Sequence, residues 1–394
     1  MMIAALRRGS LPFPVGMLAA LVLVAGMEWF VIGPKNDLAT FIPASWVEAS
    51  RAAQSEAITA DVLFLGDSQI KGGLIPSAFD QRLNLHAYNL AVIGGQPASA
   101  LALLGQAIHA GARPRALVIG FYPGLLGADS RINLRQWPDL LGTSGCMRML
   151  RSNRDLAFVT PLLLHALLPT LRRREEIRAA LVSLATGEPD AGQVKAQGYR
   201  RNWRLNAGAQ AIPVNHAFLD ESLPPLGEPG AATNQAGKRW RAKAEHLDSL
   251  RKLLAQADAK GIAVFWLLPT NSPGLRSFRQ TTGLEAAYLG TIQDLQSEFP
   301  SLIVLDPNDV LNDSVSFSDP CHLDHLGAWS LSIATAEAVR SRLFLENVAD
   351  SPFSRWMTLA NPTDGAPFAC KIFEDVDQST RVVQIGIRDG KRWR

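Results

Sequence analysis

The stretch DVLFLGDSQIKGG, residues 61–73, sets four apolar residues, Val62, Leu63, Phe64 and Leu65, directly against Gly66-Asp67-Ser68. A strand covered on both faces reads as such an unbroken apolar run. Gly and Asp are also ordinary turn residues. Two readings are therefore open at this point: a strand that turns a corner, or a strand that ends by presenting a serine. A Gly-Asp-Ser taken alone is most often a turn, so the remainder of the chain has to decide.

Outward from this point the text alternates. Strands are expected at 61–65, 86–92 and 116–121, with helices between them at 75–83 and 98–110. The order resumes with a helix at 238–260, a strand at 262–268, a helix at 284–299, a strand at 302–305 and a final helix at 326–344. Strand and helix in strict alternation predict an α/β domain on a parallel sheet. Between them, residues 124–237 break the pattern with leucine-rich, basic and then Gly-, Pro- and Asn-bearing text. This reads as a long insertion after the third strand. The expected organisation is an N-terminal segment 1–33, a linker 34–60, the α/β domain 61–345 and a tail 346–394.

Composition limits the function classes. The 394 residues are 47% hydrophobic and 19% charged, with a formal net charge of +3 from 39 basic and 36 acidic residues. No basic stripe interleaved with aromatics is present, so nucleic acid is not an expected partner. Arg172-Arg173-Arg174 runs straight into Glu175-Glu176, the pattern of a solvated helix face. Three cysteines, Cys146, Cys321 and Cys370, stand at unrelated spacings, which predicts neither a disulfide framework nor a CxxC metal site.

Near the N-terminus, Arg7 and Arg8 precede the apolar run 11–33, which only Glu28 interrupts, with Trp29 and Phe30 beside it. About 20 apolar residues cross a bilayer, and no Ala-x-Ala cleavage site follows the run. The expectation is a single-pass signal-anchor helix that holds the chain at the membrane, with Arg7 and Arg8 inside and the domain extracytoplasmic.

In open parallel sheets ligands gather beyond the carboxyl ends of the strands. Those ends carry Asp67-Ser68, Asn89 with Gly94-Gly95-Gln96, Tyr122, Thr270-Asn271, and the segment SDPCHLDHLGA at 318–328. A serine hydroxyl needs a histidine to take its proton, and the histidine needs an acid to set its tautomer. Asp319 and His322, three apart at a turn before a helix, supply that pair. Ser68 is then the expected nucleophile, His322 the general base and Asp319 the orienting carboxylate. His325 is a rival base. His322, Asp324 and His325 hint at a metal, but no further cluster stands at ligand spacing, so neither metal nor cofactor is expected. Cys321 reads as a small buried residue. Trp137, Trp203 and Trp240 are candidates either to stack on sugar rings or to fill the core.

Gly-Asp-Ser after the first strand, Asn89-x-x-x-x-Gly94 after the second, and Asp319-x-x-His322-Leu323-x-x-x-Gly327 before the last helix together resemble the SGNH (GDSL-type) hydrolase superfamily. The anchor and the GDSQ block are similar to its extracytoplasmic branch, which includes alginate-type acetyltransferases. The resemblance implies a three-layer α/β/α fold on a flavodoxin-like parallel sheet and acyl-ester chemistry at a serine. It implies an oxyanion hole formed by the amides of Ser68 and Gly94. One departure stands out: the superfamily's third block carries an Asn, whereas this chain reads Gly120-Phe121-Tyr122-Pro123. Asn271, Tyr122 and Gln96 are the candidates to replace it, and the sequence does not choose among them.

The expected activity is that of a membrane-anchored serine esterase or O-acyltransferase acting through an acyl-enzyme on acylated envelope or secreted polysaccharide. A membrane-bound acyl-transfer partner is implied by the resemblance. The alternative is a non-catalytic scaffold on the same fold within a polysaccharide export or modification complex, for which the missing Asn speaks.

Overall fold

A computed structural model describes residues 15–32, 39–152, 156–216, 218, 240–311, 316–344, 355–360, 387–388 and 391–392. In chain order the first elements are α1 (Val15–Ile32), α2 (Phe41–Ala53), β1 (Val62–Gly66), α3 (Ser68–Gly73), α4 (Pro76–Leu83) and β2 (Ala87–Asn89). Next come α5 (Pro97–Ala110), β3 (Ala116–Gly120) and α6 (Pro123–Gly127). The insertion then carries α7 (Trp137–Ser152), α8 (Leu156–Leu167), α9 (Pro169–Arg172), α10 (Arg174–Thr186) and α11 (Ala191–Leu205). The domain resumes with α12 (Ala244–Asp258), β4 (Ala263–Leu267), α13 (Pro273–Thr281), α14 (Leu284–Glu298), β5 (Ile303–Asp306), α15 (His325–Phe344) and β6 (Trp356–Thr358).

The six strands form one all-parallel sheet in the order β2-β1-β3-β4-β5-β6. Its register sets Gly66 beside Gly120 at the carboxyl ends of β1 and β3. Side chains of a strand alternate between faces, and the core divides accordingly. Leu63, Leu65, Leu117, Ile119 and Trp266 pack with α2, α5, α12 and α14. Val62, Phe64, Val118, Phe265 and Leu267 pack with α4 and α15 on the other face. Helices thus flank the sheet on both sides, which is why the central strands β1, β3 and β4 are apolar runs.

Several expectations change. Residues 41–53, expected within a linker, form a helix that puts Trp46, Ala49 and Ala53 into the core. Trp356–Thr358, expected within the tail, adds the sixth strand by pairing with β5. Beyond the basic helix expected there, the described part of the insertion is mostly helical, from α6 to α11. Its Arg173 and Glu176 are buried instead of solvated, because Arg173 pairs with buried Asp139 of α7 at 2.7 Å. Trp137 packs edge-on against Trp46. Trp203 donates to the Tyr88 hydroxyl at 3.1 Å and Trp240 to the Pro123 carbonyl at 3.1 Å. All three indoles pack in the fold, Trp137 and Trp203 buried and Trp240 half-buried.

The N-terminal apolar run is helical over 18 residues, Val15–Ile32. Among the described residues no helix is long and apolar enough to cross a membrane. Residues 11–14 and 33 of the expected span lie outside the described residues. Glu28, the acid that interrupts the run, accepts hydrogen bonds from the amide and hydroxyl of Thr170 in α9.

Gly66 sits at φ +154°, and a Cβ there would meet the Gly120 carbonyl oxygen at 2.2 Å. Backbone cannot yield to that contact without parting β1 from β3. Gly66→Ala is expected to destabilise the protein by about 3 kcal/mol, read as a lower urea midpoint. An unchanged midpoint would show that this close approach is not required.

Candidate active site

The chain turns sharply at the end of β1. Asp67 caps α3, its Oδ1 accepting the Gln69 amide at 2.9 Å, while Oδ2 accepts the Tyr122 amide at 2.6 Å from the end of β3. Asp67 is buried, and burial pushes its carboxyl up to about 6 against those two hydrogen bonds. Ser68 therefore begins α3 with its side chain fixed above the sheet edge.

His322 Nε2 lies 2.8 Å from Ser68 Oγ, and His322 Nδ1 lies 2.8 Å from Asp319 Oδ2. Asp319 Oδ1 also accepts the backbone amides of Cys321 at 2.9 Å and His322 at 2.8 Å. The three-residue spacing thus makes a tight turn in which one carboxylate holds both the backbone and the ring. An acceptor at Nδ1 keeps that nitrogen protonated and leaves Nε2 free to accept the serine proton. Burial lowers the affinity of His322 for a proton, but the hydrogen bond and charge of Asp319, with Asp67 behind it, outweigh burial and raise its pKa above the ordinary 6.5. Burial acts upward on Asp319, and its bonds to His322 outweigh that and hold its carboxyl below the ordinary range. Ser68, His322 and Asp319, expected from the sequence, are brought together by the fold.

The other expected residues divide. Gly94, in the left-handed region at φ +69°, has its carbonyl held by Asn133 Nδ2 at 2.9 Å. The Gly94 amide bonds to no described residue. Neighbouring Gly95 lies against the Gly66 carbonyl, where a Cβ would come within 2.4 Å. The turn is thereby held next to the strand end that carries Ser68. Asn271 is buried and gives its Nδ2 to the Pro269 carbonyl at 3.2 Å, with no hydrogen bond to Ser68 or His322. Tyr122 contributes its amide to Asp67. Gln96 is spent on the insertion, donating to the carbonyls of Leu125 and Asp129 and meeting His246 Nε2 at 3.2 Å. His325, the rival base, faces the Ile212 carbonyl at 3.2 Å, and Asp324 caps α15 through the amides of Leu326 and Gly327. Cys321, expected to be buried, is half-buried, with Sγ 3.4 Å from His322 Nδ1.

Three supporting residues, Gln69, Lys71 and Asn133, escaped the sequence reading, and a fourth, Asn89, was read there only as part of its block. Gln69 Nε2 donates to the carbonyls of Thr270 at 2.9 Å and Cys321 at 3.0 Å, tying the serine turn to the β4 loop and the histidine turn. Asn89 Nδ2 donates to the carbonyls of Ile70 and Leu74 and holds α3 from beneath. Lys71 is buried, and burial drives its pKa well below that of an ordinary lysine. Its Nζ donates to the Gly208 carbonyl at 2.6 Å and sits 3.5 Å from the centroid of the Trp203 ring. Asn133 lies deep in the insertion, where no local pattern marks it. Gln69 alone carried a signal, as the residue after the serine.

Compared with protein-family models and with curated protein sequences, the chain matches none.

A base must be neutral to accept the serine proton, so acylation of Ser68 is expected to rise with pH through the raised His322 value. Asp67→Asn removes a negative charge facing the imidazolium, lowers that pKa and moves the acidic limb to lower pH. A limb that stays put would remove Asp67 from the electrostatics of the site. The linked stability runs the opposite way. The imidazolium of the folded protein contributes stability that is complete below about 6.5 and lost as pH climbs through the folded value.

Proposed function

We propose that the protein is a serine esterase or O-acyltransferase that moves acyl groups, acetyl first among them, at esters of cell-envelope or secreted polysaccharide. The observation that carries this reading is the unbroken hydrogen-bonded chain from Asp319 through His322 to Ser68, with 2.8 Å at each link. The strand order 2-1-3-4-5 is that of flavodoxin-like sheets, whose ligands gather beyond the carboxyl ends of the strands. That order, together with the three sequence blocks, supports a place in the SGNH (GDSL-type) superfamily. The apolar helix α1 and the two arginines before it support attachment to a membrane with the domain on the extracytoplasmic side.

The reaction is a double displacement. His322 Nε2 takes the Ser68 proton as Oγ attacks the acyl carbonyl, and Asp319 stabilises the imidazolium so formed. The amides of Ser68 and Gly94 receive the developing oxyanion. The imidazolium returns its proton to the departing alkoxide, leaving an acyl-serine. Water or a sugar hydroxyl, deprotonated by the same nitrogen, then takes the acyl group. Water makes the protein an esterase and a glycan hydroxyl makes it an acyltransferase. A membrane-bound partner that presents the acyl donor fits the transferase case.

Gly120-Phe121-Tyr122-Pro123, standing where the superfamily's third block carries an Asn, favours a second reading, a scaffold on the same fold without turnover. Loss of one donor costs about 3 kcal/mol of transition-state stabilisation, which slows catalysis without abolishing it. The test uses the full purified chain with p-nitrophenyl acetate. Wild type is expected to release p-nitrophenol and to carry an acetyl adduct on Ser68, and Ser68→Ala to lose at least about 10³-fold in kcat. Added oligosaccharide acceptors then separate transfer from hydrolysis. Folded protein with neither release nor adduct would leave the scaffold reading.

A further inference from the structure

We infer that Asp319, Cys321 and His322 form a binding site for a zinc-class divalent ion that holds the Ser68–His322 pair inactive. The sequence argued against a metal because His322, Asp324 and His325 lack companions, but the fold sets Asp324 and His325 apart from the site and brings Cys321 in. Cys321 Sγ lies 3.4 Å from His322 Nδ1, and Nδ1 lies 2.8 Å from Asp319 Oδ2. One carboxylate oxygen, the sulfur and the ring nitrogen all lie within 4.8 Å of one another. Cys321 forms no disulfide with the other described cysteine, Cys146.

Zinc ligands sit at about 2.3 Å for sulfur and about 2.0–2.2 Å for nitrogen and oxygen in a tetrahedron. Those radii separate sulfur from nitrogen by about 3.6 Å and nitrogen from oxygen by about 3.4 Å. The Sγ–Nδ1 distance already fits, the Asp319 carboxylate withdraws from Nδ1 by about half an ångström, and its separation from Sγ, within 4.8 Å, comes to about 3.6 Å. Asp319 Oδ1 is held by the two amides of its own turn, so Oδ2 is the oxygen that can ligate. Water completes the fourth position. The donor set, one thiolate, one imidazole and one carboxylate, suits zinc and cobalt and not magnesium or calcium. All three residues are partly open to solvent, which provides an entry path.

Binding excludes catalysis by tautomer. In the metal-free site Nδ1 carries a proton toward Asp319, and Nε2 accepts from Ser68. A metal at Nδ1 needs that lone pair, so the neutral ring carries its proton on Nε2, and the base has no lone pair to offer Ser68. The ring proton moves from Nδ1 to Nε2, and the Cys321 thiol loses its proton to solvent. One metal ion is thus taken up for one proton released, with no redox step. Asp319 meanwhile ceases to be the ring's acceptor. The inhibition rests on the function proposed above; the binding itself does not.

The test is zinc titration by calorimetry of the full, metal-stripped chain, repeated with cobalt to record a thiolate charge-transfer band. Wild type and Ser68→Ala are expected to bind one ion each and to show the band. Cys321→Ser and Cys321→Ala, checked for fold by circular dichroism, are expected to bind at least about tenfold more weakly and to lack the band. Where ester hydrolysis is present, zinc is expected to suppress it in wild type, and a chelator to restore it. Each cysteine variant, compared with its own metal-free rate, is expected to resist. Equal affinity in wild type and in both cysteine variants, or no binding by wild type, would overturn the site. Cysteine-dependent binding without any esterase activity would keep the site and remove the function.

Discussion

The architecture around Ser68 depends on one buried carboxylate. Asp67 leaves the end of β1 with no water around it, and each of its oxygens takes a backbone amide, one from α3 and one from the end of β3. A buried carboxylate is tolerated only when so satisfied. Its two bonds join the first turn of α3, which begins at Ser68, to the neighbouring strand. Gly66, which must approach Gly120 closely, sets where that carboxylate points. The negative charge also lies behind His322, so the group that shapes the turn also favours protonation of the base.

The insertion is part of this scaffold. Lys71 reaches from α3 to the Gly208 carbonyl, and the Asn89 amide donates to the Ala207 carbonyl. The return from α11 is therefore stitched beneath the helix that carries the serine. On the other side, Asn133 holds the Gly94 carbonyl while Gln96 meets His246 of α12. Both candidate oxyanion elements are thus braced by residues far away in sequence. Burial lowers the pKa of both Lys71 and His246, as in a site organised by packing and dipoles rather than by mobile charge.

What the site lacks is as informative as what it holds. The side-chain amides of Asn133, Gln96 and Asn271 each donate to a protein carbonyl, and the oxyanion reading is built on the backbone amides of Ser68 and Gly94. Backbone donors cost little reorganisation when charge develops, and the left-handed Gly94 is a conformation in which glycine is at home. Cys321 introduces a different element. Its thiol lies 3.4 Å from the His322 nitrogen that also faces the Asp319 carboxylate, so that, under the two proposals above, catalysis and metal binding compete for the one lone pair of the neutral ring.

From the sequence by itself, periodicity and strand-end chemistry determined the parallel α/β alternation, the five principal strands, and Ser68, His322 and Asp319 as residues to consider together. Those features are local: apolar runs, a turn after each strand, and a carboxylate three residues from a histidine. The helical character of residues 41–53 was hidden because an alanine-rich amphipathic stretch resembles a linker until its tryptophan finds a core. The sixth strand was hidden because three residues carry no period. The roles of Gln69, Lys71, Asn133 and Cys321, and the failure of Gln96 or Asn271 to reach the serine, were decided only by tertiary structure. Each depends on a hydrogen bond or contact between segments that are distant in the chain or turned by the fold, and such pairings leave no trace in local spacing.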